Sequence, residues 1–367
     1  MAEFEAAACS IASHRAKEQQ QSSGAEVRSF GKVATSENKG EITTNGAFVR
    51  QKNRFCTPFG DREGELPVEA GRYRLIWTPL CPWATRQMIV LRLLGIGEDV
   101  ISVGTVAPVR TESGWEFSLD PEGKDPVLGI RYLPEIYAAT DPDYGGRATV
   151  PTIVDVKEQR VVNNDYHRLS NYWETVWKPF WKPGAPELYP LDLRTGIDAL
   201  NEILFHEINN GVYKAGFATS QEEYEKNYRL VFARLDWLEE RLADRRFLFG
   251  DRLTDSDVRL YVTLARFDTA YYFGFRLNER RIMDYPNLWN YAKDLYSIPA
   301  FAQSTDFDAI KRGYLLGAAE NPDGILPDGP DESVWLEPND RSERFGPLRI
   351  GPALDMQHLR EVETWQS

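Results

Sequence analysis

Apolar positions along the chain change their spacing at a few points, and those changes mark out its elements. Aromatic residues return between Phe48 and Phe59 after a polar start. Tyr73-Arg-Leu-Ile-Trp77 then has the length and composition of a short buried strand. A turn containing Pro79 follows, and Met88, Val90, Leu91 and Leu94 recur at helical spacing behind Cys81-Pro82. Val100–Gly104 is a second strand, and joining it to the first through a crossover helix makes a parallel βαβ unit. A polar excursion rich in Gly and Pro runs from Pro108 to Gly129, and a helix is predicted from Tyr132 to Ala139. Thr149–Asp155 and Arg160–Val162 read as two strands across a turn. Pro151 is anomalous inside such a strand unless it begins an edge or makes a cis bend. Asn163-Asn164-Asp165 opens a closing helix.

The linker Lys178-Pro-Phe-Trp-Lys-Pro-Gly-Ala-Pro-Glu187 breaks every periodicity with its prolines. Beyond it only helical spacing appears. Ile197, Leu200, Ile203, Leu204 and Ile208 make one stripe. Ser220-Gln-Glu-Glu223 is a capping box ahead of Tyr224, Tyr228, Val231, Phe232, Leu235, Leu238 and Leu242. Thr254-Asp-Ser-Asp257 caps the next helix, with Val258, Leu260, Tyr261, Leu264 and Ala265. The fold class is therefore α/β followed by all-α. The first part has the thioredoxin-like order, and a thioredoxin-like domain before an all-helical one is the architecture of the glutathione transferase superfamily. The expected organisation is a disordered extension over 1–45, a lead-in packing on the body over 46–70 and a thioredoxin-like thiol-binding domain over 71–178. A linker over 179–190, a helical domain over 191–320 and a C-terminal extension over 321–367 complete it.

A chain of 367 residues has room for two such cores. Its net charge of -13 argues against nucleic acid and against anionic membranes as partners. No apolar run is long enough to span a bilayer, and the acidic N-terminus lacks the basic flank and apolar core of a signal peptide. Three cysteines do not make a disulfide framework in a chain of this length, so a reducing cytoplasm is the expected location. His14, His167, His206 and His358 form no metal-ligand spacing, and no metal is expected.

Cys81 stands out because of its address. The strand–turn–Cys-Pro–helix pattern puts it at or just before a helix N-terminus, with Pro82 suited to the first turn. Backbone N–H groups and the helix dipole there stabilise a thiolate, so a lowered pKa and a reactive thiol are expected rather than a buried structural cysteine. Ala84 stands where a second cysteine would allow two-thiol exchange. A mixed disulfide at Cys81 must then be resolved by an outside thiol. Cys9 and Cys56 have no comparable context.

Cys81-Pro-Trp-Ala-Thr-Arg86 resembles the Cys-Pro-Trp-Ala-His-Arg motif of the glutathionyl-hydroquinone reductases, the Xi class of glutathione transferases. Further matches are Tyr144-Gly-Gly-Arg-Ala-Thr-Val-Pro151, Asn209-Asn-Gly-Val-Tyr-Lys-Ala-Gly-Phe217 and Arg266-Phe-Asp268 followed by Tyr271. Tyr285-Pro-Asn-Leu288, Asp294-Leu-Tyr296, Ile310-Lys-Arg-Gly-Tyr314 and Asn321-Pro-Asp-Gly-Ile325 continue the likeness, which covers about residues 48 to 330 in order. The resemblance implies a reaction in which Cys81 attacks the sulfur of a glutathionylated hydroquinone, hydroquinone departs, and a second glutathione resolves the mixed disulfide. Glutathione would be the co-substrate, the partners a small thiol and a hydroquinone conjugate, and the assembly a homodimer. Val150, before a cis Pro151, would offer its backbone to the cysteinyl part of the peptide. Trp115 and Arg147 would contact the tripeptide, Arg147 as a carboxylate clamp. Asp165 and Tyr166 would face the γ-glutamyl group, and Tyr213, Tyr271 and Tyr314 would line the acceptor pocket and move a proton. Loop packing for Trp115, a helix cap for Asp165 and core packing for each tyrosine are the competing readings.

The sequence departs from the family pattern at Thr85 (for His), Asp165 (for Glu), Tyr166 (for Ser) and Ala309 (for His). Asp165 and Tyr166 lie on the thiol side, which leaves γ-glutamylcysteine or another small thiol open as co-substrate. A general thioltransferase or dehydroascorbate reductase, and a non-enzymatic adaptor of the same fold, are the alternatives. Fast labelling of Cys81 near neutral pH is expected of the enzyme and not of the adaptor.

Overall fold

The computed structural model describes residues 40–316 and 321–350. Its one sheet is built from β1 (Tyr73–Trp77), β2 (Ile101–Thr105), β3 (Thr152–Asp155) and β4 (Arg160–Asn163), in the order β2-β1-β3-β4. β1 runs parallel to β2 and antiparallel to β3, and β3 pairs antiparallel with β4. All five residues of β1 are buried. Arg74 can occupy this central strand because Asp125, from the excursion loop, meets its guanidinium at 2.8 Å out of contact with water. The crossover helix α1 (Pro82–Leu94) is buried on every side but Arg92 and ends at Gly95 in the left-handed conformation, φ 67°.

Helices α2 (Leu133–Thr140) and α3 (Leu169–Trp173) complete the thioredoxin-like part. α3 begins later than the sequence suggested. Asn163 ends β4, and the Asp165 carbonyl accepts from the N–H groups of Arg168 and Leu169 in a turn that comes first. β3 likewise begins at Thr152, after a cis Val150–Pro151 peptide, so residues 149–151 stand outside the ladder.

Among the described residues every named strand precedes residue 164. The helical part comprises α4 (Arg194–Ile203), α5 (Gly211–Gly216), α6 (Gln221–Arg241), α7 (Asp255–Arg266), α8 (Pro286–Tyr296), α9 (Pro299–Ala302) and α10 (Phe307–Leu315). α6 starts where its box predicts, with the Ser220 hydroxyl accepting from the Glu223 N–H. Every residue of α7 is buried, which makes it the axis of this part. Asp257 fixes its start by accepting from the Thr254 N–H and hydroxyl, the Leu248 N–H and the Tyr291 hydroxyl. Wide, π-type turns at Leu204–Asn209 and Phe267–Tyr271 interrupt the helices just before Asn210 and at Tyr271. Among the described residues no helix is long and apolar enough to cross a membrane.

Both flanks of the body carry more structure than their composition suggests. Residues 40–45 were expected in the disordered extension, yet Glu41 is only 4% exposed. After Leu315, Trp335 packs on Trp289, Tyr296 and Phe307, and the buried Arg341 donates to the carbonyls of Leu242, Arg245 and Arg246. Glu332, paired with Lys311 at 3.6 Å, adds an acidic attachment to those of the tail's arginines and aromatics. Residues 1–39, including Cys9, and 351–367 lie outside the described residues.

Candidate active site

The turn before α1 presents Cys81 as N-cap of that helix. Its carbonyl accepts from the N–H of Thr85, and its Sγ–H donates to the Val150 carbonyl at 3.4 Å. Arg266, at the end of α7, holds the same turn from the helical side. This fully buried guanidinium donates to the carbonyls of Leu80 (2.8 Å), Pro79 (2.7 Å) and Val262 (2.7 Å) and to the Thr85 hydroxyl (2.8 Å). Thr85, where the resembled family has His, also donates its hydroxyl to Pro79 at 3.2 Å. The cysteine turn is thus pinned across the two parts of the molecule. Arg266 belongs to the Arg266-Phe-Asp268 motif, and the motif alone does not reveal this grip on the cysteine turn. A guanidinium ending an otherwise apolar helix face was the available signal.

The thiol does not have the lowered pKa expected of it. Burial pushes it up, and the Ala84 N–H, then Arg266, the Trp83 N–H and Arg50 oppose that rise without cancelling it. The helix terminus therefore acts as anticipated, but loss of water outweighs it. Arg86 turns away and donates to the Tyr166 carbonyl. Since the neutral thiol is favoured, alkylation of the ligand-free protein by iodoacetamide should rise with pH toward a midpoint above about 8.5, the range of a free thiol. A midpoint below about 7 would show that the helix terminus prevails after all.

Tyr213 on α5, Tyr271 at the end of the wide turn after α7, and Tyr314 on α10 bring their hydroxyls together. The oxygen separations are 2.5 Å for Tyr213–Tyr314, 3.1 Å for Tyr271–Tyr314 and 3.4 Å for Tyr213–Tyr271. Phe275 braces the three rings, stacking on Tyr271 at 5.0 Å. Burial raises the pKa of all three, so they stay protonated at neutral pH. Among charged groups Arg50 opposes the rise at Tyr213, and Arg266 does so at Tyr271 and Tyr314. A Cys81 thiolate would raise Tyr213 further, which puts sulfur and hydroxyls in electrostatic reach of one another. Trp83 lies between the thiol-side Tyr166 and the cluster, 4.9 Å from the ring of Tyr166 and 6.2 Å from that of Tyr213.

The residues expected to hold the peptide divide. Val150 meets the sulfur, Pro151 follows it across the cis bond, and Tyr166 packs over Trp83. Arg147, expected as a carboxylate clamp, is paired with Glu41 at 2.5 Å, because Glu41, just ahead of the lead-in, lies buried beside it. The Asp165 Oδ1 accepts from the Asn53 side chain and the His167 N–H, which closes the turn ahead of α3 rather than capping the helix, whose N-cap is Arg168. Trp115 is buried beneath the Arg110 guanidinium, 5.1 Å away. The lead-in is the common cause of several of these changes. Gln51 pairs through its amide with both the N–H and the carbonyl of Arg147, and Arg50 lies over Trp83 and Tyr213. Nothing in the local sequence around Phe48-Val-Arg50 marked that arm as part of a site. Among the described residues no group of His, Cys, Asp and Glu is arranged to hold a metal ion.

Comparison with known proteins gives concordant matches. Residues 221–294 match the glutathione S-transferase C-terminal domain. The glutathionyl-hydroquinone reductase YqjG of Escherichia coli K12 is 37% identical over 83% of this chain and 95% of its own length. The crystal structure of the Xi glutathione S-transferase from Phanerochaete chrysosporium has a TM-score of 0.76 at 36% identity, covering 79% of this chain and 95% of that one. The glutathione-bound structure of YqjG has a TM-score of 0.72 at 37% identity, covering 82% of this chain and 99% of that one.

Proposed function

The chain belongs to the glutathionyl-hydroquinone reductases, the Xi class of glutathione transferases, and we propose that it cleaves glutathionyl-hydroquinones reductively through a mixed disulfide on Cys81. It is a glutathione-dependent thiol transferase and oxidoreductase, with glutathione as its co-substrate. The observation that carries the Cys81 reading is the convergence of the three tyrosine hydroxyls, within 3.4 Å of one another, near the helix-capping thiol.

The proposed chemistry uses these groups in order. The peptide main chain of the conjugate takes the Val150 carbonyl that the thiol now occupies. The tyrosine cluster passes a proton to the ring carbon bearing sulfur and accepts one from the adjacent ring hydroxyl, which becomes a carbonyl. Cys81 gives up its thiol proton to water and attacks the glutathionyl sulfur as thiolate. An S–S bond forms, the C–S bond breaks, and its electron pair passes through the ring to that carbonyl oxygen. The oxygen is left as a phenolate and is reprotonated as hydroquinone leaves. A second glutathione thiolate attacks the glutathionyl sulfur of the mixed disulfide, releasing oxidised glutathione and the Cys81 thiolate. The conjugate's thioether sulfur and the one external thiol have then each given one electron to the ring carbon, and Cys81 is regenerated. Homodimer formation and a cytoplasmic site of action are further expectations of the same reading.

Steady-state turnover with glutathione and, separately, with γ-glutamylcysteine tests it. Hydroquinone and disulfide should appear in equal amounts. Because Glu41 already holds Arg147, loss of the glycyl carboxylate should lower kcat/KM by less than about tenfold. Wild-type protein inert with both thiols would overturn the reductase reading.

A further inference from the structure

Arg50 stands at the site with an unused donor. Its guanidinium carbon lies 4.6 Å from the ring centre of Tyr213, 5.2 Å from that of Trp83 and 5.3 Å from that of Phe48, an aromatic slot that fixes its plane. Nε donates to the Asn210 side chain at 3.0 Å. Nη2 is buried and meets no acceptor among the described residues. A buried donor left unpaired is costly, and an arginine held this rigidly keeps that donor aimed in one direction. Its charge reaches Cys81, Tyr166 and Tyr213. Of the other cations there, Arg266 already donates to four oxygens of the protein, and Arg86, 5.8 Å from the Trp83 ring centre, donates to the Tyr166 carbonyl and keeps a buried, unpaired Nε. Arg50 is the one of the three whose guanidinium lies over the ring of Tyr213 with a terminal donor in reserve.

We propose that Arg50 is a catalytic residue whose Nη2 donates to an anionic oxygen of the bound conjugate. The inference rests on the reductase reading above. Two oxygens have the required chemistry: the phenolate that forms as the aryl C–S bond breaks, and a carboxylate of the glutathionyl peptide. The first carries negative charge only during cleavage, so a fixed donor there would act on kcat. The second is charged throughout, so a donor there would act on KM in both half-reactions.

The two halves can be timed separately in the full chain. Hydroquinone release is followed after mixing protein with conjugate alone. Resolution is followed by adding glutathione to protein whose Cys81 has first been converted to the glutathionyl disulfide with oxidised glutathione. Arg50→Met keeps the apolar stem in its slot and removes the donor, and Arg50→Lys restores the charge. Arg50→Met should slow hydroquinone release about a hundredfold, the size of effect seen when one anion-stabilising donor is removed, and Arg50→Lys should recover part of that loss. Slowing confined to release assigns Nη2 to the phenolate, and slowing of both halves assigns it to the peptide carboxylate. Rates within about threefold of wild type in both halves overturn the proposal. Equal loss in both variants, accompanied by loss of the native melting transition, overturns it too, leaving Arg50 as a staple between the lead-in and Asn210. If wild-type protein releases no hydroquinone, the reductase reading itself fails and this proposal falls with it.

Discussion

Cys81→Ser should lower reductive turnover by at least about ten-thousandfold while leaving the fold intact. Serine is close in size and can donate to Val150 as the thiol does at 3.4 Å. It is also a favoured N-cap residue, so α1 loses nothing at the position where Cys81 now caps it without a side-chain hydrogen bond. What changes is the chemistry. A hydroxyl is not appreciably ionised at neutral pH and cannot form the disulfide from which a second glutathione releases product. Melting temperature and turnover should therefore separate, the first unchanged and the second lost. Residual turnover above about one per cent of wild type would mean that the conjugate is cleaved by direct attack of free glutathione, with the protein only holding the two together.

Arg266→Met is expected to cost about 4 kcal/mol of stability, read from denaturant unfolding. The wild-type guanidinium satisfies three carbonyls and the Thr85 hydroxyl with no exposure to water. A methionine fills similar volume and takes one donor from each of these acceptors; Pro79 keeps the Thr85 hydroxyl, while an acceptor left buried and unpaired costs about 1–3 kcal/mol before relaxation. The loss should fall on function as well. The Pro79–Leu80 turn that positions Cys81 would be free to shift, and the sulfur, Tyr271 and Tyr314 would lose a cation that opposes their raised pKa. Arg266→Lys, which can reach one or two of the four acceptors, should fall between. A Met variant within about 1 kcal/mol of wild type would show that water enters and satisfies the turn in its place.

Local pattern carried the sequence a long way here, and the places where it stopped have a common physical cause. The Tyr73–Trp77 strand, the Cys81-Pro82 entry into α1, the Ser220 cap and the Thr254 capping box are readable because each is set by residues within a few positions of one another, although Glu223 turns to Asn45 and Lys226 instead of closing the predicted box at Ser220. The three tyrosines were found only through family motifs, since no periodicity distinguishes them from core tyrosines. Periodicity shows which way a side chain faces but not what it meets across the molecule. That is why the Arg266 grip on the cysteine turn, the Arg74–Asp125 pair and the Glu41–Arg147 pair were unreadable. The direction of the Cys81 pKa failed for a related reason. A helix N-terminus is visible in sequence, but the depth at which the fold buries it is not. One consequence is practical. Slow labelling of the ligand-free protein at neutral pH would no longer argue for an adaptor, because the raised pKa of the half-buried thiol predicts it.

Single turnover in the absence of free thiol bears most directly on the mechanism. Protein mixed with excess glutathionyl-hydroquinone should release one equivalent of hydroquinone. Intact-mass and peptide analysis should then place one glutathionyl group on the Cys81 peptide, removable by added glutathione with return of the thiol. Hydroquinone release without any adduct at Cys81, or an adduct that forms equally in Cys81→Ser, would contradict covalent catalysis by this residue.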